Sequence, residues 1–252
     1  MMEVYLMNAD KGSKIARDGF KNEKDVVRKF NNWETDKDAQ EWLKIMGYDL
    51  DEIEYVIAKI LKGYKTDVQA QITIKLKKAI DAQNIQVKLV SNLKGFNQID
   101  KRWVDKYVEM WDIPKDVADL LKYFTGEYEP YKDEVKDERR MFLTEFSEEE
   151  QLKIINFFEN NKTLILCDIL KGRGKFAAEW MLVIQKAGNV RWVLKPINFV
   201  LNHYGAGDVV ITQRGSLKLG KVTIQRKGGD GGRNTAKMLQ FKVNPAELFD
   251  DS

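Results

Sequence analysis

Asp67, Gln86 and Lys88 are the residues whose types and spacing could support chemistry. Thr66-Asp67 stands at the entry of Val68-Gln69-Ala70-Gln71-Ile72-Thr73-Ile74-Lys75, and eighteen residues separate Asp67 from Gln86-Val87-Lys88. Strict alternation of apolar and polar residues is the signature of a half-buried strand, and Ile85–Val90 alternates in the same way. Two apart on a strand, Gln86 and Lys88 project from one face, while Ile85, Val87 and Leu89 point to the other, into a core. If the two strands pair as neighbours, an acid, an amide and an amine converge at one edge of a sheet. Such a set suits hydrolysis of a phosphodiester, which needs an oriented water, a cation on the phosphoryl oxygen and stabilisation of the leaving alkoxide. Mg²⁺ prefers oxygen ligands and keeps several waters. The Asp67 carboxylate, the Gln86 amide oxygen and the Val87 carbonyl are candidate ligands, and Lys88 would orient or help deprotonate the attacking water. A plain structural reading also stands: Asp67 caps a turn, and Gln86 and Lys88 form the solvent face of an amphipathic strand.

Composition bounds the remaining chemistry. The chain has 252 residues, 43% hydrophobic and 32% charged, a globular composition. No run approaches the roughly 18 consecutive apolar residues of a membrane helix, and the N-terminus has no secretion-signal pattern, so a cytoplasmic protein is expected. The single cysteine, Cys167, and single histidine, His203, exclude an intramolecular disulfide, a zinc finger and a histidine-rich metal site. Cys167, in Thr163–Cys167, is expected in the core, and His203 as a structural or contact residue. The net charge of +3 is small, but its distribution is uneven. Ile211–Lys242 holds eight basic residues against Asp230 alone, whereas Glu127–Glu150 holds ten acidic and four basic ones. The basic segment fits a phosphate-binding surface or a solvated strand-rich one.

The elements that must position these residues follow from periodicity. Helices are expected over Gly12–Phe30, from Asp36 to a stop at Gly47, and from Asp49 or Asp51 through Leu61. Further helices are expected around Trp103–Trp111, after Pro114 through Phe124, and from the capping box of Ser147 and Glu150 to Asn160. Besides the two alternating stretches, strands are expected at Thr163–Cys167, Glu179–Gln185, Val190–Leu194, Asp208–Thr212, Lys221–Gln225 and Met238–Val243. The pattern predicts an α/β fold, a mixed central sheet flanked by helices, with a strand-rich C-terminal region. One domain over residues 1–252 is expected, its catalytic part about 1–125 and its recognition part about 140–252.

Two polar stretches have the chemistry to read nucleic acid. Ser91–Lys101, taken as a loop, carries Phe96, Asn97, Gln98 and Lys101: amides that can bond base edges, a lysine for guanine or phosphate, and an aromatic ring that could wedge between base steps or anchor in the core. Gln225–Arg233 supplies Gln225, Arg226, Lys227 and Arg233 around four glycines, and lacks the ending of a Walker loop. Lys171–Lys175 is another basic glycine-rich turn, for phosphate contact or none.

The chain resembles the PD-(D/E)xK nuclease superfamily with glutamine in place of the second acid. Over nearly its whole length it resembles the HinPI family of small type II restriction endonucleases, and more distantly the MspI family. The likeness is carried by GSKIARDGFKNEKDV, NIQVKLVSNLKGFNQIDK, RRMFLTEFSEEEQ, DILKGRGKFAAEW, VTIQRKGGDGGR and MLQFK. It implies a Mg²⁺-dependent endonuclease cutting double-stranded DNA at GCGC and leaving 5′-phosphate and 3′-hydroxyl ends. Asp67 then matches the metal-binding aspartate and Gln86-Val87-Lys88 the Q-x-K form of the motif. Glu23 takes the place of an early-helix glutamate holding a metal-bound water, unless it is an exposed helix residue paired with a lysine. The resemblance further implies that the loop enters DNA with Phe96 inserting, and that the chain binds DNA as a monomer, a weak dimer being the alternative. A cognate methyltransferase would act on the same site and need not bind the chain. A nuclease with another target and a non-catalytic DNA-binding protein are the rival readings.

Overall fold

The computed structural model describes residues 21–61, 69–77, 79–186 and 188–250. Along the chain run α1 (residues 21–31), α2 (Lys37–Ile45), β1 (Ile53–Leu61), β2 (Gln69–Leu76), β3 (Ile80–Val90), β4 (Asn97–Arg102), α3 (Val104–Trp111), α4 (Lys115–Thr125) and α5 (Glu148–Asn160). Then come α6 (Lys162–Leu166), β5 (Trp180–Gln185), β6 (Arg191–Pro196), α7 (Ile197–Gly205), β7 (Val209–Ile211), β8 (Leu217–Leu219), β9 (Val222–Arg226) and β10 (Leu239–Val243). The expected mixed α/β class is present, with the strands divided between two five-stranded sheets. No helix among the described residues is long and apolar enough to cross a membrane. These residues form two compact units: one comprises the chain up to Gly95, Leu170–Val200 and everything from Asn244, the other Phe96–Ile169 and Leu201–Val243.

In the first unit the sheet order is β1-β2-β3-β5-β6, with β3 and β5 parallel and the other pairs antiparallel. One face is apolar: Ala70, Ile72, Ile74, Ile85, Val87, Leu182 and Ile184 share a core with Val26 and Phe30 of α1 and Trp42 and Leu43 of α2. The Asp36 side chain accepts from Ala39 N, 3.1 Å away, and caps α2, while Gly47 at φ +90° ends the turn beyond it. Both signals were readable. The expected third helix is not there. A 3₁₀ turn, Leu50–Glu52, leads into β1, which pairs with β2 from Ile53↔Leu76 to Leu61↔Gln69. The apolar positions of Ile53–Leu61 looked helix-spaced because this edge strand has apolar residues on both faces. Val56 and Ala58 are buried, Tyr55 and Ile57 are exposed, and a bulge at Ile53/Tyr55 breaks the period.

The second unit orders its sheet β4-β10-β9-β8-β7, all antiparallel. Leu217, Leu219, Val222, Ile224, Leu239, Phe241 and Val243 are buried along one face. Phe241 meets Tyr107 and Trp111 of α3 edge-on, at ring-centroid distances of 5.3 and 5.7 Å. The Ser147/Glu150 capping box forms as expected, with Ser147 N donating to Glu150 at 2.8 Å and Glu150 N to Ser147 Oγ at 3.3 Å. Three expectations fail here. Thr163–Cys167 is not a strand: α6 continues into a π turn, Cys167–Lys171, and Ile165, Leu166, Ile169 and Leu170 are buried at helical spacing. Short apolar runs do not distinguish a buried strand from a buried helix, and Cys167 is half-buried rather than a core residue. Nor is the stretch through Lys101 wholly a loop, because residues from Asn97 onward form β4, paired to β10.

Gly126 ends α4 at φ +80°, and a Cβ there would lie 2.2 Å from the Arg139 carbonyl oxygen. Gly126→Ala is therefore expected to destabilise the protein by more than about 1 kcal/mol. The readout is a lower urea midpoint at unchanged m-value; a wild-type midpoint would refute the close approach.

Candidate active site and nucleic-acid interface

The candidate catalytic strand is central, and its two faces differ. Ile85 and Val87 enter the apolar core, while Asn84, Gln86 and Lys88 lie on the opposite face, with Asn84 beside Gln71 of β2 through Gln71↔Asn84. The solvent-face alternative fails, because Gln86 is 0% and Lys88 5% exposed. Asn84 is fully engaged: its amide donates at 3.1 Å to the carbonyls of Lys175 and Ala177 and accepts from Gln71, and its backbone N–H donates at 2.8 Å to Glu179. These bonds fix the turn after Lys171–Lys175 against β3, a structural use for that basic stretch.

Gln86 contrasts with its neighbour. Neither Oε1 nor Nε2 finds a hydrogen-bond partner among the described residues. A buried amide left so costs about 1–3 kcal/mol, which is hard to account for unless something absent from the chain itself satisfies it. A hard divalent cation with its waters fits, as it takes a neutral amide oxygen and offers acceptors to the amide N–H groups. Among the described residues no group of three or more His, Cys, Asp or Glu could hold a metal. Asp67, the carboxylate expected to complete the set, lies outside them, as does Thr66.

Glu23 sits on α1 at 7% exposure, so it is a buried helix residue rather than an exposed one. Its spacing to Val26 and Phe30 puts it on the inward face of that helix. The sequence reading passed over its neighbour Asn22, 1% exposed, whose amide N and O are also without hydrogen-bond partners among the described residues. The polar type at an inward helical position was the available signal.

In the second unit the polar face of the sheet gathers several reader candidates. Lys101, Gln240 and Gln225 occupy one rung across β4, β10 and β9. Gln98, Lys242, Thr223 and Lys218 occupy another, extended to β8. Gln240 Nε2 donates to Gln98 Oε1 at 2.7 Å, which fixes the orientation of both amides. Gln240 and Lys242 were not singled out from sequence, though the alternation of Met238–Val243 assigns them to this face. Burial holds the Lys242 ammonium below its ordinary pKa. Asn97 pairs with Val243 at the start of β4. Phe96 is not a core anchor: it is 42% exposed, with Lys218 Nζ 5.7 Å from its ring centroid.

Arg226 departs from Gln225. It pairs with Leu239, so its side chain leaves the sheet on the other face, where Nε donates to the Ala236 carbonyl at 3.2 Å. There Arg226 and Arg233 line a cleft of about 780 Å³. The stretch read as one reader is thus split, with Gln225 on the sheet and Arg226 and Arg233 in the cleft. Lys227 is half-buried beyond the end of β9, its N–H bonded to Met238 O at 2.8 Å. His203, on α7, lies against Lys221, whose Nζ is 3.2 Å from Nε2, and against the Tyr204 ring.

Comparison with known proteins sets this geometry in context. Residues 46–249 match the family model described as R.HinP1I restriction endonuclease. The fold is similar to that of the restriction endonuclease MspI, solved in complex with its cognate DNA: TM-score 0.60, 16% identity, 92% of this chain and 91% of that chain covered. No curated protein sequence matches.

Replacing the Gln86 amide with an apolar group of similar size should relieve its burial cost. Gln86→Met is expected to raise unfolding stability in EDTA by about 1–3 kcal/mol. A variant no more stable than the wild type would show that the amide is satisfied in solution without a cation.

Proposed function

The chain belongs to the R.HinP1I restriction endonuclease family and is a type II site-specific nuclease, and we propose that it cuts double-stranded DNA at GCGC with Mg²⁺, leaving 5′-phosphate and 3′-hydroxyl ends. The observation that carries the catalytic part of this reading is the Gln86 amide, wholly buried and without a hydrogen-bond partner among the described residues, two residues from buried Lys88. Asp67, the Gln86 amide oxygen and the Val87 carbonyl would hold the ion. When bound, Mg²⁺ polarises the scissile phosphate and stabilises charge on the leaving oxygen.

The protein groups do the rest. The Lys88 ammonium orients the attacking water and offsets the charge that develops on the phosphoryl oxygens. Glu23 would help hold a water of the ion. Gln98, Lys101 and Gln225 read base edges from one sheet face with Asn97 beside them, and exposed Phe96 inserts between base steps. Lys227, Arg226 and Arg233 hold the DNA from the end of β9 onward. Support for a duplex substrate comes from MspI, whose solved complex contains its cognate DNA. The two units act as one restriction-endonuclease-like domain of a cytoplasmic chain that binds DNA as a monomer, so the two strands are cut by two chains or in two visits. A methyltransferase modifying the same sequence would protect the host DNA.

Digestion of a plasmid of known sequence with Mg²⁺ or EDTA, followed by sequencing of the fragment ends, tests the proposal. Discrete Mg²⁺-dependent ends at GCGC are expected; ends elsewhere would discard the target, and a bound but intact plasmid would discard the reaction. Lys88→Ala should cut about 10²- to 10⁴-fold more slowly while still binding the duplex, and wild-type turnover would remove Lys88 from the chemistry. Phe96→Ala should weaken binding to a GCGC duplex more than to an unrelated one in gel-shift titrations; equal losses would count against insertion.

A further inference from the structure

The cleft below the end of β9 takes no part in the proposed metal site, yet its charges are arranged for a ligand. A duplex ligand there rests on the DNA-holding role proposed above for Arg226 and Arg233, and deepens it. It lies between the segment from Gly126 to Arg140 and the segment from Arg226 to Lys237, and six cationic side chains line it against four carboxylates. Near its arginines a single carboxylate serves two guanidinium groups. Asp137 accepts from Arg139 Nε at 2.8 Å and Nη2 at 3.0 Å, and Arg140 Nε reaches it at 3.5 Å. That last contact is an ion pair without a hydrogen bond, so the buried Arg140 Nε–H has no acceptor among the described residues. Arg226 has no carboxylate within ion-pair distance among the described residues, and its Nε donates to the Ala236 carbonyl.

These cations are close enough to disfavour one another. Burial, and then the charge of Arg226, hold the Arg140 guanidinium below its ordinary pKa, and burial and Arg139 do the same to Arg226. Like charges gathered in partial burial are unfavourable until an anion lies among them. Each fork is also held in place: Arg140 stacks 4.1 Å from the Phe142 ring centroid, and Arg226 is tethered through Nε. The floor beside them is bare backbone. Gly228, Gly229 and Gly232 line the cleft at φ +63°, +60° and +83°, and a Cβ at any of them would meet nothing within 4 Å. Open glycine backbone of this kind lets an anion approach the peptide groups.

We infer that Arg139, Arg140 and Arg226, with the glycine turn at 228–232, form a binding site for a phosphoryl group. Planar forks with paired donors match tetrahedral phosphate oxygens bidentately, which lysines on an open surface do not. A cleft of about 780 Å³ leaves room for whatever carries the phosphate. The phosphoryl group belongs either to the backbone of a bound duplex or to a free phosphate or diphosphate, and the same contacts serve both. The inference does not depend on the metal site proposed above, because none of its residues takes part there.

The test uses the full chain in EDTA, so that no DNA is cut, with Arg139→Gln and Arg226→Gln as variants. Arg139 is 68% exposed, so its replacement leaves the fold intact, which thermal unfolding would verify for both. Duplex affinity is measured across a salt series, and inorganic phosphate and pyrophosphate are titrated by calorimetry. A salt slope shallower by about one unit in each variant places a backbone phosphate in the cleft. Unchanged slopes with phosphate or pyrophosphate binding lost in the variants place a free phosphoryl ligand there. Unchanged slopes, with phosphate binding absent or equal in all three proteins, would overturn the inference. Failure of the wild type to bind any duplex would count against the nuclease proposal, with the calorimetric arm still deciding the cleft.

Discussion

A strand in the middle of a sheet is expected to be apolar on both faces, and β3 obeys that constraint on one face only. Ile85 and Val87 join the core with α1 and α2, and the opposite face buries Asn84, Gln86 and Lys88. Each of these polar groups needs a partner or carries a desolvation cost. Asn84 meets the need internally by holding the segment that leads into β5. Gln86 does not, and the rest of the first unit can be viewed as the support that keeps it there. β2 and β5 flank it through ladders on either side, so the amide has no route to solvent by a strand shift without breaking both pairings. Stability is given up at one position and rigidity is gained for the group that would ligate a cation.

The second unit handles polarity differently. Its sheet has one apolar face, sealed by Tyr107 and Trp111 against Phe241, and one polar face on which amides and lysines stand in register. The register does what no single residue can, since rungs spaced by the strand pleat present donors and acceptors at fixed intervals. The Gln98–Gln240 bond removes the freedom of two side chains that would otherwise lose entropy on meeting a ligand. On the apolar side, Asp100, the ladder partner of Phe241, is buried with Tyr107 and Arg102 as partners, and burial beside that carboxylate drives the Tyr107 phenol well above its ordinary pKa.

What the sequence revealed depended on how local the governing interaction is. Caps were legible because one side chain decides them: Asp36, and Ser147 with Glu150. The alternation of Ile85–Val90 disclosed which residues share a face, though not that the strand is central, since its second edge is paired by β5 from about a hundred residues away. Ile53–Leu61 was misread because its register is imposed by β2, and Thr163–Cys167 because a short apolar run fits a buried helix as well as a buried strand. Gln225 and Arg226 are adjacent in sequence and yet leave the sheet on opposite faces. Arg139 and Arg140 were hidden by the ten carboxylates around them, since composition averages over a segment while a cleft selects individual side chains.

Among the described residues the chain passes between its two units four times, between residues 95 and 96, 169 and 170, 200 and 201, and 243 and 244. Two of these crossings fall inside helical elements, the π turn at Cys167–Lys171 and α7. Neither unit is therefore a contiguous cassette that a gene fusion could lift out or a single recombination could replace. A new target preference would have to arise by substitution in place, residue by residue, on strands whose register is already committed to the core. Such an architecture resists modular exchange, and its lineages should diversify by point mutation rather than by shuffling.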